Sequence, residues 1–152
     1  MINLQITFNT PALEKLNAFS VKVKEAINDA LQWSALFIKG EAKKNAPVDT
    51  GVLRSSITET GVVGDTIRVI SPVEYAKYQE FGTGVYAGGG MIYPKSGRFL
   101  VWRDRRSGKM IFARAVRGVP PKRFFGKAIE TFTQRIDLLK QFLSDRVKYY
   151  YG

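Results

Sequence analysis

The sequence contains no cysteine and no histidine among its 152 residues. The first absence excludes disulfides, thiolate nucleophiles and thiolate metal sites. The second removes the commonest general base and the commonest transition-metal ligand. A hydrolase or metalloenzyme could still be built from carboxylates, but most of the usual routes are closed. A long hydrophobic run is also missing. The most apolar stretch, residues 30–38, is far too short to span a bilayer and carries Gln32 and Ser34. Residues 1–8 alternate polar and apolar side chains and lack the basic region and apolar run of a signal peptide. Together these absences read as a soluble cytoplasmic product with no membrane contact and no cofactor.

Acidic residues are scarce in one place only. Residues 1–94 hold 9 Lys/Arg and 9 Asp/Glu, whereas residues 95–127 hold 11 Lys/Arg and a single acid, Asp104. Residues 128–152 hold 4 and 3, so nearly all of the net charge of +11 sits in one segment. That is a local basic feature rather than a generally basic protein. The composition is otherwise that of a folded domain: 45% hydrophobic and 12% aromatic residues are enough to fill a core.

Along the chain, Ile2, Leu4, Ile6 and Phe8 alternate with polar residues, the period of a strand with one buried face. Thr10-Pro11 has the form of a helix start, with Glu14 in the first turn. Leu13, Leu16, Val23, Ile27, Ala30, Leu31, Ser34 and Ile38 then follow at helical spacings, through Gly40 to about residue 45, where Pro47 stops the helix. Asp49-Thr50-Gly51 reads as a turn, with Asp49 placed to bond backbone amides ahead of it. Short strands are expected over 56–62 and 66–71, joined through Gly64-Asp65. Two helical turns fit 73–80, and residues 82–97, with glycine at 82, 84, 88, 89, 90 and 97, read as a flexible loop. A second hairpin is expected over about 98–116, turning through residues 104–108. After Gly118 and Pro120-Pro121, a final long helix is expected over 122–149, its stripe being Phe125, Ile129, Phe132, Ile136, Leu139 and Leu143. The expected fold is therefore α+β: one domain, residues 1–152, with antiparallel β-hairpins packed against a long N-terminal and a long C-terminal helix.

Few motifs suggest chemistry. Gly82-Thr83-Gly84-Val85-Tyr86-Ala87 has the spacing of a dinucleotide fingerprint, but a helix-like segment precedes it and more glycines follow, the wrong context for pyrophosphate. Ser107-Gly108-Lys109 lacks the earlier glycine of a phosphate loop. Asp49, Glu80 and Asp104 each have a local role in a turn or at a helix end, so no acid/base pair is evident. Tyr75, Tyr78 and Phe81 fit a core or subunit interface better than base stacking, and Tyr149-Tyr150-Tyr151 suggests a partner surface. Arg103, Arg105, Arg106, Lys109 and Arg114 crowd the second hairpin, and Arg117, Lys122, Arg123 and Lys127 continue the basic run. Such charges can simply guard an edge strand. Their concentration points instead to DNA phosphates or an acidic neighbouring subunit.

Four ordered stretches resemble a family of tailed-phage minor tail components, also described as neck, head–tail joining or tail-completion proteins. They are Ala46-Pro47-Val48-Asp49-Thr50-Gly51-Val52-Leu53-Arg54-Ser55-Ser56-Ile57, Tyr75-Ala76-Lys77-Tyr78-Gln79-Glu80-Phe81-Gly82-Thr83, Ile92-Tyr93-Pro94-Lys95, and Gly118-Val119-Pro120-Pro121-Lys122-Arg123-Phe124-Phe125. The resemblance implies a non-enzymatic virion structural protein, assembled in the host cytoplasm as a homo-oligomeric ring around the DNA channel. Its implied partners are copies of itself, adjoining head-connector or head-closure proteins, tail-terminator or tail-tube proteins, and double-stranded DNA in the lumen. In that reading Pro47, Asp49, Gly51, Gly82, Pro120 and Pro121 are architectural. Two rivals stand beside it: a free DNA-binding protein using the 98–116 hairpin as a β-ribbon, and a carboxylate-dependent nuclease.

Overall fold

The computed structural model describes residues 1–7 and 21–151, the side chain of Tyr151 excepted. The expected helix start at Thr10-Pro11, and Phe8, Leu13, Glu14 and Leu16, lie outside the described residues. Strand β1 (Ile2–Thr7) is followed by helix α1 (Val21–Asn45), helix α2 (Val52–Ser56), and strands β2 (Thr58–Glu59) and β3 (Thr66–Ser71). Helix α3 (Ala76–Phe81), a 3-10 turn over Gly84–Ala87, and strands β4 (Leu100–Arg103) and β5 (Met110–Ala113) come next. Helices α4 (Phe124–Gln134) and α5 (Ile136–Tyr151) complete the order. The chain forms two compact units, Met1–Ala76 with Arg123–Gly152, and Lys77–Lys122.

In the first unit, β3 is the centre of an antiparallel sheet of order β1-β3-β2. Ile2, Leu4 and Ile6 lie opposite Ser71, Val69 and Ile67, and the period-two alternation turns all six toward the core side. Gly64 (φ 62°) and Asp65 make the expected two-residue hairpin, closed by paired bonds between Val63 and Thr66. Closer to the core the pairing is Thr58 with Ile70 and Glu59 with Val69, and the Thr60 amide donates to the Arg68 carbonyl. Gly61 and Val62 therefore face the single residue Ile67, a bulge that keeps β2 to two residues where a strand over 56–62 was expected.

Helix α1 packs on β3, α4 and α5. Its buried face is built mainly from small residues: Ala26, Ala30, Ser34, Ala35 and Ala42, with Leu31 and Ile38 among them. Small side chains let neighbouring backbones approach closely, and the Ser34 hydroxyl is satisfied within the helix by the Ala30 carbonyl at 2.7 Å. The helix continues through Gly40, where a β-carbon would meet open space. Beyond the aliphatic core, Trp33 stacks on Phe142 with ring centroids 5.5 Å apart, and Phe37 and Phe132 join the cluster. Gly51, in the left-handed region (φ 82°), redirects the chain into α2.

The C-terminal helix is not continuous. It starts at Phe124 and breaks at Arg135, whose backbone (φ −111°, ψ 24°) leaves the helical region. The bonds from the Arg135 amide to Phe132 and from Leu138 to Arg135 are of the tighter i to i−3 kind. Before the break, the Thr131 and Thr133 hydroxyls bond back to the Lys127 and Ile129 carbonyls, an arrangement that bends helices. The expected stripe is therefore interrupted. Ile129 and Ile136 are exposed, while Phe124, Phe125 and Ala128 are buried in α4 and Leu139 in α5. Phe124, fully buried, contributes about 1.5–3 kcal/mol by leaving water.

One ion pair ties α1 to β2: Lys39 Nζ lies 2.5 Å from Glu59 Oε2, with both side chains mostly buried. The hydrogen bond from Lys39 holds the Glu59 carboxyl below its ordinary value of 4.5. Because the folded value is the lower one, the pair's stabilisation is complete above pH 4.5 and is lost as the pH falls through the folded value. Glu59→Gln should lower stability at neutral pH, with the gap from the unaltered protein closing under acid, as read by urea unfolding at several pH values. In the same assay Ala35→Leu should cost about 1–3 kcal/mol by overpacking. Leu36→Ala, one residue on but exposed, should cost far less.

Candidate functional site

The basic residues singled out by the sequence fall in the second unit. Lys77–Lys122 carries 10 Lys/Arg and two acids, Glu80 and Asp104. β4 and β5 pair in register from Leu100 with Ala113 to Arg103 with Met110. Arg103 ends β4, Arg105 and Arg106 occupy the turn, Lys109 precedes β5 and Arg114 follows it, and all five are exposed. The hairpin thus brings Arg103, Arg105, Arg106 and Lys109 to one tip, with Arg114 beyond the far end of β5.

Asp104 organises that tip. Its Oδ2 accepts from the Ser107 hydroxyl at 2.5 Å and from the Ser107 amide at 2.8 Å. Its backbone amide donates to the Lys109 carbonyl, and its carbonyl accepts from Gly108. The bonds from Ser107, and a further one from the Arg106 backbone, hold the Asp104 carboxyl below its ordinary value of 3.8. The only acid of the hairpin therefore stays charged near neutrality and is occupied in shaping the turn. Arg103 Nε donates to the Gly108 carbonyl at 2.9 Å, so its guanidinium braces the same loop.

Residues 82–97, expected as a loop, are fastened along part of their length. Ile92 and Val116 exchange backbone bonds, the Val85 amide donates to Arg117, and the Thr83 amide donates to Val119, whose own amide donates to the Thr83 hydroxyl. The Lys122 amide donates to Gln79, anchoring the segment that carries Pro120 and Pro121. The glycines are what allow the two segments to approach. A β-carbon on Gly118 (φ 92°) would collide with the Thr83 carbonyl oxygen, and one on Gly84 (φ 61°) with that of Arg117. Gly82 is equally confined, against the Val119 carbonyl. The G-x-G spacing thus serves chain packing, and its neighbour is polypeptide.

The other candidates are dispersed. Pro47 and Asp49 lie in the bend between α1 and α2, and Asp49 is exposed. Glu80 is buried in α3. Among the described residues no three acidic side chains gather where a metal ion could be held. Tyr75, Tyr78 and Phe81 are all exposed, which removes the core reading for them. Tyr149 is exposed, but the Tyr150 hydroxyl donates to Asp29, which Arg146 also approaches. Desolvation first and the Asp29 bond second raise the Tyr150 phenol above its ordinary value.

One feature escaped the sequence reading. No apolar side chain of Lys77–Lys122 is among the buried ones. Val101, Trp102, Met110 and Phe112 of the hairpin, with Phe99 beside it, are exposed. The signal was present: Phe99-Leu100-Val101-Trp102 and Met110-Ile111-Phe112 are apolar at successive positions, so both faces of a two-stranded ribbon must be apolar.

Residues 12–82 match the model of one protein family, described as "Bacteriophage HK97-gp10, putative tail-component". Over residues 12–82, less than half of its length, the chain is similar to that family. The HK97-gp10-like segment takes in α1, α2, β2, β3 and α3 and ends at Gly82. It contains the stretch 46–57 and nearly all of 75–83, whereas the stretches 92–95 and 118–125 and the basic hairpin lie beyond it. That description names a tail component of a bacteriophage and says nothing further of what the component does. No curated protein and no solved structure matches the chain. Within the described residues, no helix is long and apolar enough to cross a membrane.

The packed glycines lead to a direct comparison. Gly90→Ala, where φ is 75° but space is open, should cost about 1–2 kcal/mol from backbone strain alone. Gly118→Ala should cost more and speed amide hydrogen exchange at Thr83, Val85 and Ile92. Equal exchange in the two variants would contradict the close approach.

Proposed function

We propose that the protein is a virion structural subunit that closes into a homo-oligomeric ring in the neck or upper tail, joining head to tail around the DNA channel. The observation that carries this reading is the tail-component match over residues 12–82 together with a unit, Lys77–Lys122, that holds 10 basic residues and two acids. A ring closes through repeated head-to-tail contacts between different surfaces of the same subunit. β1 and β2 are the edge strands in the order β1-β3-β2, and strand edges are surfaces through which such contacts form. In this reading the 98–116 hairpin is the projecting part of one 1–152 domain. It carries Arg103, Arg105, Arg106, Lys109 and Arg114 toward DNA in the lumen or toward an acidic adjoining ring, such as a head-closure or tail-terminator protein.

A second reading is favoured by the charge at the hairpin tip: a free DNA-binding protein using the hairpin as a β-ribbon. It requires tight binding that weakens steeply with salt, because phosphate contacts would dominate.

The two readings separate in solution. The mass of the purified protein over a concentration and salt series, with negative-stain images of the same fractions, should reveal closed rings with a central hole. A strict monomer that binds duplex DNA tightly would favour the second reading. Arg105→Glu with Arg106→Glu should reduce particle assembly or DNA retention at least about tenfold, the loss of one or more desolvated charge contacts. Full retention would remove the hairpin from the proposal.

A further inference from the structure

Both faces of the hairpin are apolar, but they differ in exposure. The register places Val101 opposite Phe112 and Arg103 opposite Met110, and the alternation of a strand puts these four on one face. Val101, Met110 and Phe112 are exposed by 51%, 54% and 63%. On the other face Leu100, Ile111 and Ala113 are half-buried, and only Trp102, at 40%, is exposed. A two-stranded ribbon is marginal in water, and a contiguous apolar face bordered by charge marks an interaction surface.

From this geometry we infer that the Val101–Met110–Phe112 face of the hairpin docks a protein surface with an apolar centre and an acidic rim, contributed by a different chain. The inference deepens the proposed function, on which it rests for placing that chain in the same particle. DNA fits the face poorly. Phosphates held over Val101, Met110 and Phe112 would lose water and gain bonds only from the arginines at the border, whereas an apolar patch of a protein removes the whole face from water. An aromatic anchor beside arginine is also the composition typical of protein contacts. A second copy fits poorly as well. Lys77–Lys122 has 10 basic residues to two acidic ones, and the other unit has 14 to 11, so neither offers the acidic excess that the hairpin's arginines would match.

The full-length protein tests this with three probes: a synthetic amphipathic helical peptide with a leucine face and a glutamate rim, the same peptide with a lysine rim, and a short DNA duplex. The glutamate peptide should bind and the lysine peptide should not. Val101→Ser with Phe112→Ser should weaken the glutamate peptide about tenfold or more and leave duplex affinity unchanged. Both sites are exposed, and Phe112→Leu, which keeps an apolar side chain, should retain binding. The inference is overturned if the serine variant binds the glutamate peptide as before, or if duplex affinity falls in step with it. It is also overturned if the face instead sustains self-association, seen as a drop in solution mass on substitution. Absence of the chain from particles would sink the proposed function while leaving these binding results to decide the surface.

Discussion

Everything in the first unit depends on how closely α1 can be approached. Its inward face is paved with Ala26, Ala30, Ser34, Ala35 and Ala42, all fully or almost fully buried. Small residues there allow the backbone of α1 to lie near β3 on one side and the C-terminal helices on another, while Leu31, Ile38 and Phe124 fill the remaining space. A larger residue at any of these alanines would separate layers that share one core. The Lys39–Glu59 pair and the bond from Tyr150 to Asp29 then fix the same helix to β2 and to α5.

The second unit obeys a different constraint. It is held by backbone bonds, glycine contacts and the Asp104 turn rather than by buried side chains, and among its described residues the apolar ones are half-buried or exposed. Hydrogen bonds of this kind yield modest net stability each, whereas apolar burial is the main driving term of folding. A unit made this way, with a strong excess of positive charge, gains most from contact with something else.

Much of the fold was legible from local pattern. The alternation of Ile2, Leu4 and Ile6 marked β1, the stripe from Ile27 to Ile38 marked α1, and Gly64-Asp65 and Gly108 marked the turns, because each depends on neighbours close in sequence. The break at Arg135 was hidden, since Ile136 continues the spacing of Phe125, Ile129 and Phe132 without interruption, and the threonine back-bonds that accompany it leave no periodic trace. The fastening of residues 83–92 to 116–119 was hidden for another reason: its bonds are between backbone groups far apart in sequence. The basic candidates were readable from charge alone, although Arg114 lies at the other end of β5 from the tip. The apolar face beside them was overlooked because the turn and the arginines already accounted for a hairpin, and its exposure is a property of the folded unit.

The central claim is that this chain is a building block of a particle, and counting it there tests that most directly. Quantitative mass spectrometry of purified tailed particles, scaled to the major capsid protein, should find the chain at a fixed number of several copies per particle that survives a high-salt wash. Its absence from washed particles, with abundant chain left in the lysate, would contradict the account.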